Sequence, residues 1–114
     1  MESILTSIKK LLQISEDDTA FDTDIIMHIN SVFMILRQLG VGPSNGFFIE
    51  DETAEWSDFI EDGLNLELVK SYVYLKVKLL FDPPTSSFVM ESMNRQIAEF
   101  EWRLNVEAEH GNTE

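Results

Sequence analysis

Glu52, Glu55 and Asp58 follow one another at three-residue spacing. On a helix such carboxylates point the same way and can offer oxygen ligands to magnesium, so metal-dependent nucleotide hydrolysis is the chemistry they could support. The pattern lacks the rest of such a site. No matched carboxylate pair stands on another predicted helix, no base waits nearby for a phosphate, and Thr53-Ala54 reads as a turn. The acidic run from Asp18 to Asp24 fails as a calcium loop, because the central glycine and the closing bidentate glutamate are missing. His28 has Asp24 and Ser31 one turn away, yet no nucleophile or partnered acid can be named for it, so a structural or interface role is the plainer reading. His110 is the only other histidine, and with no cysteine in the chain, thiolate metal sites, disulfides and cysteine nucleophiles are excluded. No enzyme activity, cofactor or metal is expected.

The elements that carry these residues read as helices around one core, in a chain of 114 residues of which 44% are hydrophobic. Residues 2–14 place Ile4, Leu5, Ile8, Leu11 and Leu12 on one face, with Lys9 and Lys10 on another. A second helix, 21–39, has a spine of Phe21, Ile25, Ile29, Val32, Leu36 and Leu39, entered through an acidic segment in which Asp18 or Asp22 can cap it. Met27, Met34 and Ile35 widen its apolar surface beyond one face, which suits a central helix or one shared with a neighbouring chain. Gly40 fits a left-handed cap, and the turn dipeptides Gly42-Pro43 and Asn45-Gly46 open an irregular stretch over 41–63. Within it Phe47-Phe48-Ile49 reads as a short strand or an extended apolar tuck, and Trp56, Phe59 and Ile60 as one helical turn.

A third helix, 66–81, offers Leu68, Val69, Tyr72, Val73, Lys76, Val77, Leu79 and Leu80 as contacts. A fourth, 86–107, carries the stripe Val89, Met93, Ile97, Phe100 and Leu104. Between them, Pro83 stops the third helix at or before Asp82, Pro84 keeps Pro83 extended, and Thr85, Ser86 or Ser87 can start the next helix. So short a link makes antiparallel neighbours, with the second helix filling the groove between them and Phe81 and Phe88 closing the bend. The fold class is therefore mainly all-α, a compact bundle of about four helices in a single domain over 1–107, with 108–114 expected to be a disordered tail. Trp102 lies off the stripe. It either covers the helix edge against the 47–49 segment or Trp56, or anchors an interface. Arg95 and Arg103 each stand four residues from Glu99 and can pair with it or bind another subunit.

Charge is the strongest global feature. There are 21 acidic and 8 basic side chains, a net charge of -13. One cluster is Glu16, Asp17, Asp18, Asp22 and Asp24; another is Glu50, Asp51, Glu52, Glu55, Asp58, Glu61 and Asp62, with no base among them. Duplex binding needs lysine or arginine against phosphate, so this chain is expected to repel DNA. Acidic loops that only keep a small protein soluble are the plainer alternative. No stretch approaches the roughly 18 apolar residues of a membrane span, and MESILTSIKK is not a signal sequence, so the chain is expected to be made in the cytoplasm with no membrane partner.

Three segments are familiar together: LVKSYVYLK (68–76), LLFDPPTSSF (79–88) and IAEFEWRLN (97–105). With the acidic opening 16–24 and the element WSDFI (56–60), they resemble the small head-tail connector proteins of long-tailed bacteriophages. The likeness is closest to members from phages and prophages of Gram-positive hosts, and it covers residues 4–106. The FDPP turn and the Glu-Trp-Arg-Leu end are its most specific parts. That family has no catalytic motif to match.

The resemblance implies a mainly helical virion protein at the head-tail junction, docked as a ring of about twelve copies under the portal. It would extend the DNA channel and present a platform to the next connector or a tail completion protein. DNA would pass without specific binding, with Glu50, Asp51, Glu52 and Glu55 as candidate channel-facing acids. Met27, Met34, Pro83, Pro84, Arg95, Trp102 and Arg103 are the candidate interface. Two other readings stay open: an acidic DNA mimic that inhibits a nuclease or DNA-binding protein, and a magnesium-dependent helical nucleotide hydrolase.

Overall fold

The computed structural model describes residues 2–60 and 63–112. Glu61 and Asp62 of the second acidic run, and residues 113 and 114 of the expected tail, lie outside the described residues. Among the described residues five helices form: α1 (Ile4–Leu11), α2 (Asp22–Gln38), α3 (Trp56–Phe59), α4 (Leu64–Phe81) and α5 (Ser87–Asn112). Among the described residues there is no strand, only an isolated antiparallel bridge between Ser3 and Glu55. The all-α expectation is met in a body of 44 × 36 × 21 Å.

Local chemistry sets the helix ends. Ser3 caps α1 by accepting the Thr6 amide at 3.2 Å. The helix stops before residue 14 because Gln13 adopts φ 65°, and the amides of Gln13 and Ile14 turn back to the carbonyls of Lys10 and Lys9. That is a Schellman motif built without glycine, so composition gave no sign of it. Gly40 closes α2 in the same way, with its amide on Arg37 O and the Val41 amide on Leu36 O. Its φ is +88°, and a Cβ there would meet Ala108 Cβ at 2.9 Å. Neither Asp18 nor Asp22 caps α2. Phe21 is the N-cap, without a side-chain bond; Asp18 instead accepts the Ala20 amide, and Asp22 is drawn to Lys9.

Packing departs from the expected order in one respect: α4, not α2, is the central helix, lying against α1, α2 and α5. Leu66, Val69, Tyr72, Val73, Leu75 and Val77 are all buried, so α4 is apolar around most of its circumference. From α2, the spine of Ile25, Ile29, Val32 and Leu36 is fully buried, whereas Phe21 is exposed and rests edge-on against Phe81 at 5.5 Å. Phe33 centres an aromatic cluster with Phe59 at 4.6 Å and Phe47 at 5.3 Å. The stripe on α5 is core only in its second half: Ile97 and Leu104 are buried, while Val89 is exposed. Phe88 is 73% exposed, so it does not help Phe81 close the bend. The helix continues through Asn112, five residues past the expected end at 107.

Side-chain hydrogen bonds tie distant segments together. The Trp56 indole donates to Ser7 Oγ at 2.8 Å inside the core, fixing the 50s segment to α1. Asn30 clamps Ile49 from α2 by accepting its amide at 2.7 Å and donating to its carbonyl at 3.0 Å. The clamp treats the 47–49 segment as a one-residue strand partner, which makes it the extended tuck: Phe47 and Ile49 turn inward and Phe48 outward. The buried Tyr72 hydroxyl donates to Glu101 Oε2 at 2.6 Å, joining α4 to α5. Burial of the ring, and then this bond, raise the tyrosine's pKa well above its ordinary value of 10.0.

Candidate functional site

The carboxylates at three-residue spacing do not converge on a metal site. Glu52 lies in the turn before α3 and Glu55 is the N-cap residue, whose amide donates to Asp58 Oδ2 at 2.8 Å. Asp58 thus serves the helix start. Asp51 accepts both the hydroxyl and the amide of Thr53, bonds that hold its carboxyl below the ordinary aspartate range. Among the described residues, no three histidine or acidic side chains group as metal ligands. His28 is half-buried on α2; its neighbour Ser31 donates to Met27 O at 3.0 Å instead of to the imidazole. Among the described residues, Glu52, Glu55 and Asp58 are therefore not gathered into a metal site.

What the fold leaves open is surface. Glu50, Asp51 and Glu52 are exposed together in the segment between the Asn30 clamp and α3, and Glu55 beside them is half-buried. The first acidic cluster has a different setting. Lys9, only 3% exposed, puts its ammonium 2.8 Å from Asp22 Oδ1, 2.7 Å from Asp18 O and 3.2 Å from Glu16 O. One buried cation therefore organises the 16–22 segment from within, leaving Glu16, Asp17 and Asp18 facing water.

Apolar surface is left uncovered at several places. Met27 and Met34 are 58% and 59% exposed on the outer side of α2, and with Phe48, 68% exposed, they border an open groove of about 620 Å³. At the α4–α5 corner, Leu80, Phe88 and Val89 are exposed next to Pro83, which is also exposed, and the half-buried Pro84. Neither Phe48 nor Phe88 belongs to the interface expected from sequence, which reads Phe48 as part of an apolar tuck and Phe88 as closing the bend. In-out alternation over 47–49 could have identified the first; nothing in the helical spacing separates the second from the core stripe.

Trp102 is 67% exposed, beside Leu68, Phe100 and Val106 in a shallow groove between α4 and α5. It does not cover Trp56, which is buried under α1. Arg103 pairs with Glu99 at 3.0 Å, and Arg95 is exposed one turn earlier. Such exposed pairs contribute little to stability, about 0.3 to 0.5 kcal/mol.

What the described residues present is thus uncovered apolar surface beside acidic surface. No curated protein and no solved structure matches the chain. A protein-family model described as phage connector protein matches residues 4–111, nearly the whole chain, and the all-α fold with its open apolar faces is one that such a structural part can use. On that match the chain belongs to the phage connector protein family.

Proposed function

We propose that this connector forms a ring beneath the portal, extends the DNA channel and joins the capsid to the tail, with Glu50, Asp51, Glu52 and Glu55 turned toward the channel. The observation that carries the reading is the match to the connector family over residues 4–111. The base-free acidic segment adds to it: a conduit for DNA must not retain phosphate, and a field of carboxylates in a confined channel repels it. Met27, Met34, Pro83, Pro84, Arg95, Trp102 and Arg103 supply the contacts with neighbouring copies, the portal and the next connector or tail completion protein. The chain belongs at the head-tail junction of the virion; among the described residues no helix is long and apolar enough to cross a membrane.

Replacing Glu50, Asp51, Glu52 and Glu55 together by lysine tests the channel assignment. Rings should still assemble on portal-bearing heads, while DNA retention or ejection fails and infectivity falls. Unchanged infectivity with normal ring occupancy overturns the assignment of these acids to the channel.

A further inference from the structure

The groove bordered by Met27, Met34 and Phe48 differs in charge from the rest of the surface. The chain carries 21 acids and 8 bases, yet the groove is lined by no acid, and its one charged residue is Arg37. The Arg37 Nε donates to Ser44 O at 3.0 Å, which fixes the guanidinium at the groove edge, and it forms no ion pair among the described residues. Methionine surfaces adapt to the shape of an apolar visitor. The volume, about 620 Å³, lies in the roughly 300 to 1,000 Å³ range that receives a compact apolar group.

The first turn of α5 has the complementary chemistry. Phe88 and Val89 are exposed, and Glu91, three residues after Phe88 and on the same side of the helix, is exposed and unpaired among the described residues. The turn is already helical, and Pro83 and Pro84 stiffen the connector that leads into it, so presenting an aromatic anchor there costs little ordering entropy.

We propose that the Phe88–Glu91 turn of one copy seats in the Met27, Met34 and Phe48 groove of the next, with Glu91 against Arg37. The inference rests on the ring reading above and names the contact that closes it. Groove and plug are unlike surfaces of one chain, so the contact is head to tail, the kind that generates rings. It is also a contact that two bodies of charge -13 can make at close range, because apolar surface and one opposite-charge pair meet where acid would otherwise face acid. Screening the long-range repulsion therefore strengthens association, although it weakens the single ion pair.

The absence of cysteine makes the test direct. Full-length Met34→Cys and Val89→Cys variants are prepared separately, mixed at high salt and oxidised. A disulfide-linked dimer should form on mixing and from neither variant alone, and a chain carrying both substitutions should give a ladder. Arg37→Glu and Glu91→Arg should each weaken association at least tenfold, and the two combined in one chain should restore it. Self-linking of either single variant, or oligomers without the 34–89 link, overturns the proposed contact and leaves a ring built on other faces. Linking of Met34→Cys to the portal and not to another copy overturns it in favour of that partner. A chain that stays monomeric in solution and on portal-bearing heads overturns the ring reading itself.

Discussion

Replacing Lys9 by methionine removes the ammonium at the centre of the first acidic segment and keeps most of the side chain's volume. The parent has that ammonium buried, 2.8 Å from Asp22 Oδ1 and within bonding distance of the carbonyls of Glu16 and Asp18. Deleting one partner of a buried pair typically costs about 3 to 5 kcal/mol, since the other charge stays desolvated. Here the Asp22 side chain keeps 24% of its exposure, and Glu16 and Asp18 sit at the surface, so water recovers part of the loss. The expected destabilisation is therefore about 2 to 4 kcal/mol, a large share of the roughly 5 to 15 kcal/mol that holds such a domain together.

With a urea dependence of about 1 to 3 kcal/mol per molar, the unfolding midpoint should fall by about 0.7 to 4 M. Asp22→Asn should cost less, and the double variant should lose less than the sum of the two singles, leaving a coupling of about 1 to 3 kcal/mol. Amides over 14–20 should lose protection from hydrogen exchange before those of α2. Two results refute the reasoning: a Lys9→Met midpoint equal to the parent's, or a loss that disappears at high salt, which is the behaviour of an exposed pair and not of a buried one.

Other positions carry further expectations. Tyr72→Phe leaves Glu101 without its hydroxyl donor and should cost about 1.5 to 3 kcal/mol at neutral pH. Because folding raises this phenol's pKa, its contribution is fully present below the unfolded value of 10.0 and is lost as pH rises beyond it, so alkaline denaturation curves should be steeper for the parent than for Tyr72→Phe. Asn30→Ala strands both backbone groups of Ile49, should cost about 2 to 3 kcal/mol, and should show faster exchange at the Ile49 amide. Gly40→Ala meets both a positive φ and the Ala108 side chain, and a loss of about 1 to 3 kcal/mol is expected in thermal or urea unfolding.

The helices, their order and the sharp corner at Pro83-Pro84 were legible in the amino-acid order, because apolar spacing and proline sterics act over a few residues. It also carried the family, through motifs that needed no coordinates. The same spacing could not say which apolar face would find a partner. Tyr72, Leu75 and Leu66 made α4 the hub only once α1, α2 and α5 had closed around it. Met27, Phe88 and Val89 are apolar in the same way as Ile29 or Ile97, and only packing between distant segments left the former uncovered. Lys9 is the clearest case. Its position on the helical wheel sets it only off the apolar face, but the chain that follows folds back over it, so that Glu16, Asp18 and Asp22 enclose a cation whose burial no local pattern records.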